Sequence, residues 1–399
     1  MNQLGYPLFI ILFATIFAVS APAVFAQDSP IRDQPVEDGD LDQEITLWGS
    51  DSEPVDGNKP TLFDSLQNNL RANIDVISRV QTTSRRGEAE ALSAVGFDLR
   101  KVFSDEQGDI GTAVLQPYLV RKDNAYMMPT RMIDTQQDDA FSVQLHDFYF
   151  NITRWGRGRT NLKFGHFDVP FGIEPTVDTH FALRQYQAMH DAGFKKDWGA
   201  ELTGELPNFD YAVSVTTGTG LDLTGLDKDP HLFAGRVGTP PDQNTIFGVS
   251  ALYGDVIDDH GAHRVDEGDP REPFRQIENM VRRWRLGLDT THMMGQWTIR
   301  GEAAGGRDFD QTVINTVGEI EWTSNDEMFI AYLQGRYNAQ DGFFGWDEDV
   351  QSRLGFKWQI TGTLTLSSQW THEFEHYASI EGGTHLPEDT YSVQLQLRF

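Results

Sequence analysis

Tyr391-Ser392-Val393-Gln394-Leu395-Gln396-Leu397-Arg398-Phe399 runs to the last residue with a strict two-residue alternation. In an extended strand successive side chains point to opposite sides. Tyr391, Val393, Leu395, Leu397 and Phe399 therefore share one face, and Ser392, Gln394, Gln396 and Arg398 share the other. One face suits an apolar surrounding and the other suits water. The same rhythm recurs upstream, where Leu354, Phe356, Trp358 and Ile360 alternate with Arg353, Gly355, Lys357 and Gln359. Trp297 and Ile299 alternate with Thr298, Arg300 and Glu302, and Ala200, Leu202, Gly204 and Leu206 alternate with Glu201, Thr203 and Glu205.

From about Asn69 onward this unit of about ten residues repeats, each time followed by a turn or loop. About sixteen strands are expected, starting near residues 69, 92, 111, 142, 158, 198, 209, 231, 245, 281, 296, 313, 327, 351, 362 and 390. Past residue 26 no segment approaches the roughly 20 consecutive apolar residues of a membrane helix. Strands with a greasy face can cross lipid only as a closed barrel, which leaves no unpaired backbone edge. The fold expected is an all-β transmembrane antiparallel β-barrel of about 16 strands, with N- and C-termini both periplasmic.

The connections sort by parity. Even ones hold tight turn formers such as Arg154-Trp155-Gly156-Arg157-Gly158, Pro207-Asn208, Pro240-Pro241-Asp242, Ser324-Asn325-Asp326 and Thr361-Gly362. Odd ones include the long stretches 122–141, 168–197, 254–280 and 373–389. Odd connections are thus expected to be long and extracellular, even ones short and periplasmic. A soluble β-sandwich would show no such sorting. Aromatic residues including Tyr149, Trp198, Trp284, Trp322, Trp346 and Trp370 gather where strands meet loops, as interfacial girdles would.

The barrel is expected over residues 66–399. Ahead of it, Leu8–Val19 and Val24-Phe25-Ala26 read as the apolar core and cleavage site of a secretory signal over residues 1–26. Met1–Pro7 lack Lys and Arg, so the α-amino group supplies the positive charge there. Residues 27–65, rich in Pro, Asp, Glu and Gly, read as an acidic, disordered periplasmic segment. The localisation expected is the bacterial outer membrane.

With 60 Asp and Glu against 32 Lys and Arg, the chain carries a net charge of -28, which repels nucleic acid. Most of that charge is read as acidic loop surface, with divalent-cation bridging to lipopolysaccharide as the lesser reading. There are no cysteines, so disulfides, thiolate zinc sites and covalent c-type haem are excluded, and no cofactor is expected.

Leu162-Lys163-Phe164-Gly165-His166-Phe167-Asp168-Val169-Pro170-Phe171-Gly172-Ile173-Glu174, continued by Asp197–Gly204 and Tyr211–Gly220, resembles the "GxFxxPFGxE" region of the phosphate-selective porins. The terminal strand ending in Phe399 is similar to the assembly signal of outer-membrane barrels. The resemblance implies sixteen strands, a homotrimer and a third extracellular loop, about residues 168–197, folded into a pore. The departure is charge: that family lines its pore with basic residues, so architecture is carried over and phosphate is not.

Sorting charges by face places Arg283, Arg285, Arg300, Arg336, Arg353, Lys357 and Arg398 inward, as a basic pore-lining stripe interspersed with Asp289, Glu302, Glu319 and Glu321. Acids such as Asp255, Asp258, Asp259, Asp266, Glu267, Asp269, Asp347, Glu348 and Asp349 are assigned to loops. The third loop, as a constriction, carries Asp168, Glu174, Asp178 and Asp191 with Arg184, Lys195 and Lys196. A basic wall facing an acidic loop would set up a transverse field favouring small polar solutes. The alternative is that lumenal Arg and Glu pair with one another and stiffen the barrel.

His372-Glu373-Phe374-Glu375-His376 matches the HExxH zinc-protease pattern, which needs both histidines a turn apart on one helix. On a strand they lie about 13 Å apart at about 3.3 Å per residue. His146-Asp147 point to opposite faces, and no Gly-x-Ser-x-Gly elbow occurs. The expectation is a non-enzymatic outer-membrane porin passing small hydrophilic solutes or ions. The alternative is a barrel sheathing a multihaem cytochrome in an electron conduit.

Overall fold

The structure, a computed structural model, describes residues 70–84, 89–106, 108–123, 141–153, 160–177, 179, 181–221, 226, 229–257, 280–342, 345–374, 376–378, 383–385 and 387–399. The expected signal segment and acidic N-terminal segment lie outside these residues, as do Asp178, Asp258, Asp259, Asp266, Glu267 and Asp269.

The strands are β1 (Leu70–Thr83), β2 (Ala89–Asp105), β3 (Gly108–Asp123), β4 (Phe141–Ile152), β5 (Thr160–Asp168), β6 (Lys196–Leu206), β7 (Phe209–Thr216), β8 (His231–Gly238) and β9 (Thr245–Ile257). They continue as β10 (Met280–Met294), β11 (Trp297–Asp308), β12 (Gln311–Thr323), β13 (Phe329–Gly342), β14 (Gly345–Gln359), β15 (Leu364–Glu373), β16 (His376–Ala378), β17 (Gly383–His385) and β18 (Glu388–Arg398). Successive strands pair antiparallel, and β18 returns to pair with both β15 and β1, closing a barrel of sixteen strands. β16 and β17 form a separate hairpin within the last connection. At the seam Asp75 lies opposite Arg398, and Ile74 and Phe399 exchange two backbone hydrogen bonds at 2.9 and 3.0 Å.

The alternation decides which face is outside. Val95, Phe97, Val249, Leu286, Leu288, Leu354, Val393 and Leu395 are exposed on the outer wall, while Asp75, Arg79, Gln144, Arg283, Arg285, Glu302, Glu319 and Gln394 are buried inward. A soluble protein has the opposite distribution. Leu286, in the middle of β10, is 59% exposed. Leu286→Arg is expected to destabilise the barrel in lipid by about 2–4 kcal/mol if it sits at the midplane; urea titration in vesicles measures the loss, while the same change in water-soluble loops would be near neutral.

Two expectations are corrected. The parity rule fails at β11–β12 and β13–β14, each joined through two residues, 309–310 and 343–344. Here the strands themselves extend instead of a loop. Asp347, Glu348 and Asp349 accordingly belong to β14, not to a loop: Tyr337 donates to Glu348 at 3.0 Å, and Asn338 and Gln351 donate to Asp349 at 3.3 and 3.2 Å. Cross-strand polar partners make such acids compatible with a ladder. Asp255 likewise lies in β9, gripped by Arg282 at 2.8 and 3.0 Å.

Candidate functional site

Residues 169–177, 179 and 181–195, between β5 and β6, fold into the barrel and line its inner wall. Their apolar side chains supply the packing that the wall lacks. Val169, Phe171, Ala192 and Phe194 pack with Leu232, Ala234, Leu252, Val256, Val281 and Ala304 of β8 to β11. Ile173 and Tyr186 pack with Val317 of β12, and Phe181 with Ile77, Leu92, Ala94, Tyr118 and Val120 of β1 to β3. A single connection thus touches opposite sides of the interior. It contains a short 3-10 turn (Glu174–Thr176) and a one-turn helix α1 (Ala188–Asp191).

Polar contacts fix the same path. Glu319 of β12 is the hub: it accepts from Tyr186 at 2.8 Å, Arg184 at 3.2 Å, Arg300 at 2.8 Å and Gln334 at 3.0 Å. Arg184 also pairs with Glu321. Three wall arginines meet the loop's polypeptide or amide groups. Arg79 donates to the Phe181 carbonyl at 3.1 Å, Arg353 to the Gln185 carbonyl at 3.2 Å, and Arg336 to Gln187 Oε1 at 3.1 Å. Gln394 adds a second donor to Phe181, at 2.8 Å. Phe181 holds φ at 50°, a left-handed conformation uncommon for a bulky residue. Those two donors, with the Tyr118 ring edge-on at 4.7 Å, hold it there.

At the other end, Gly172 presses its backbone onto Glu302. Its φ is +66°, which glycine adopts without strain, and a Cβ there would lie 2.3 Å from a Glu302 carboxylate oxygen and push that carboxylate off its seat. The adjacent Ile173 N–H donates to Glu302 at 2.9 Å, and Gly172 N–H to Ser250 at 3.0 Å. Asp191 accepts from Asn315 of β12 at 2.7 Å.

The inward arginines read from sequence do face inward, but paired. Arg283 binds Asp308 through two bonds of 2.8 and 3.0 Å, and Arg285 reaches the same carboxylate at 2.7 Å. Arg300 pairs with Glu319 and Glu321 at 2.8 and 3.2 Å, and Arg398 with Asp98 at 2.6 Å. Lys357 lies exposed near the end of β14. Asp168, expected in the loop, instead ends β5 and is met by Lys196 at 2.7 Å and Lys195 at 4.0 Å, while Glu174 of the loop is met by Lys195 at 3.1 Å. Charges of both signs therefore interleave in the interior, with the loop's Arg184 set among wall acids and not facing them across open space. Arg184 is held firmly protonated: burial works against its charge, but Tyr186, Glu319 and Glu321 outweigh it.

Asp308, Asn315, Arg79 and Gln394 were missed as loop or wall partners. Their inward parity is readable, but their companions lie far away in the chain. The HExxH segment forms no helix among the described residues: His372 sits in β15, bonded to Asp389 at 2.9 Å, and His376 in β16. His166 donates to the His146 carbonyl at 3.1 Å and packs tilted against Trp198, with ring centroids 5.3 Å apart.

No protein-family model matches the chain, and no curated sequence matches it. Solved structures do. OprB of Pseudomonas putida, in its high-pH structure, superposes with a TM-score of 0.59 at 9% identity, covering 84% of this chain and 96% of that one. The anion-selective porin from Comamonas acidovorans gives 0.56 at 8% identity, over 83% and 99%. OmpT of Vibrio cholerae, an outer membrane protein in trimer form, gives 0.53 at 8%, over 83% and 99%. The chain thus shares the sixteen-stranded barrel fold of these outer-membrane proteins, while the resemblance of 162–174 to the phosphate-selective porins is matched by no family model.

Proposed function

We propose that the chain is an outer-membrane porin, exported by its N-terminal signal, that admits small hydrophilic solutes or ions through a water-filled barrel narrowed by residues 169–195. One observation carries this reading: a charged interior is enclosed by an apolar outer wall, and a loop is anchored inside it. The inward placement of Arg300, Arg336, Arg353 and Arg398 supports their role as pore-lining residues, as the strand parity does for Lys357, with Glu174 and Arg184 on the constriction and Asp168 at its edge; Arg283 and Arg285 are sealed against Asp308 and would act on permeation through charge alone. One neighbouring fold is named an anion-selective porin, which supports solute passage, and one was solved as a trimer, which supports a homotrimer; lipid and lipopolysaccharide would surround the apolar outer wall. The even strand number brings both ends of the barrel to one side, which supports periplasmic termini. A sheath around a cytochrome is disfavoured, because the inner loop occupies the space such a partner would need.

Purified protein in a planar bilayer is expected to give discrete single-channel steps without any partner. A tight, non-conducting barrel would overturn the proposal. Replacing Arg283, Arg285 and Arg300 together by Ser removes three positive charges and leaves Asp308, Glu319 and Glu321 in excess. Ion selectivity should shift toward cations, read as the reversal potential in a salt gradient; an unchanged potential would remove these residues from the permeation path.

A further inference from the structure

Two carboxyl groups meet beneath the inner loop. Asp191, fully buried at the end of α1, lies within hydrogen-bonding reach of Glu302, itself 2% exposed on β11. Glu302 also receives the Ile173 N–H, so the early and late parts of the loop converge on this one contact from the wall. Two buried carboxylates cannot hydrogen-bond each other when both are ionised; one must carry a proton. The geometry points to a proton-dependent latch: Asp191 and Glu302 share one proton that seats the loop, and its loss as pH rises loosens the loop from the wall.

The surrounding charges do not replace that proton. Arg283 and Arg285 of β10 face Asp191, but both are engaged by Asp308. Asp289 of β10 and Glu174 of the loop face Glu302 and add negative charge. Asp289 is matched by Arg236 at 2.6 Å, and Glu174 by Lys195. From β12 comes the neutral Asn315, and from β9 the neutral Ser250. Burial pushes the Asp191 carboxyl up to about 6. The sign follows: a raised value means the seated loop holds the proton more tightly than the released one. The stabilisation is complete below the ordinary carboxylate range, fades as pH rises through about 6 and is spent above it. On release the proton passes to hydroxide or buffer base, and no other bond changes.

The latch rests on the porin reading only for its effect on current, so its test uses a readout without current. The chain has no cysteine, which allows one spin label on Ala188→Cys in detergent-solubilised barrel. From about pH 4 to about pH 7 the mobile fraction of the label should grow, by up to about tenfold per pH unit until about pH 6, and then level off. Glu302→Gln can donate to Asp191 without titrating, so the label should stay immobile across that range. Asp191→Asn should do the same, which guards against one variant failing to fold. A label indifferent to pH in the parent, or equally responsive in both variants, overturns the latch. A responsive label in a barrel that passes no current would retain the latch and reject the porin.

Discussion

Asp308→Ala is expected to lose about 3–5 kcal/mol of barrel stability, because breaking a buried ion pair leaves uncompensated charge behind. Here the effect lies at the upper end, since two cations depend on one anion. Arg283 and Arg285 have side chains 2% and 0% exposed, and both end on the Asp308 carboxylate at 2.7–3.0 Å. Asp191 is a nearby acid but is committed to Asn315 and Glu302. Urea unfolding in vesicles, followed by tryptophan fluorescence, measures the loss. Arg285→Met alone should be tolerated much better, because it removes a buried charge while Arg283 keeps its bidentate partner. Added to Asp308→Ala it should recover part of the stability, giving a coupling energy well outside additivity. Additive effects would mean that the three groups do not act as one unit.

Glu319→Ala should change permeation more than any single replacement of a pore-lining arginine. Four donors converge on this carboxylate, two of them from the loop. Truncation removes the seat of Arg184 and Tyr186 together and leaves Arg184 and Arg300 sharing Glu321. Two guanidiniums on one carboxylate cannot both be satisfied as before. The middle of the loop then keeps its contacts with Arg353 and Arg336, the Gln187 bond to the Thr316 carbonyl at 2.7 Å and the grip on the Phe181 carbonyl. The expected result is a severalfold rise in open-channel noise and a larger mean conductance, with the barrel itself still resistant to unfolding. Glu319→Gln retains an acceptor and should lie between the two. A conductance trace indistinguishable from the parent would show that the loop does not gate the lumen.

Much of the barrel could be read from period alone. The last strand, β10 and β14 show clean alternation, and their inward and outward residues fall where the pattern places them. The long connection after β5 was also legible, because the turn signals at 154–158 and 207–208 bracket it. The β11–β12 and β13–β14 connections were misjudged for a local reason. Asp347, Glu348 and Asp349 look like loop residues, yet a strand that extends past the apolar belt can carry acids when Tyr337 and Asn338 stand across from them. The pairing of the interior was out of reach. Arg184 and Glu319 are 135 residues apart, and Asp191 and Asn315 are 124 apart. Such partners are chosen by the path of the loop inside a closed cylinder, which no local pattern encodes. A basic stripe can be counted from sequence; whether it is bare or neutralised cannot.

The carbonyl of Phe181 is gripped by Arg79 from β1 and by Gln394 from β18, strands that begin and end the described chain. Those two donors become neighbours only when the first and final strands have zipped together. The mid-chain loop cannot find its resting place on a half-built cylinder, so completion of the wall and seating of its contents are one event. A barrel released with its clasp undone would be both unsealed and unfilled, and therefore easy for quality control to tell from a finished one.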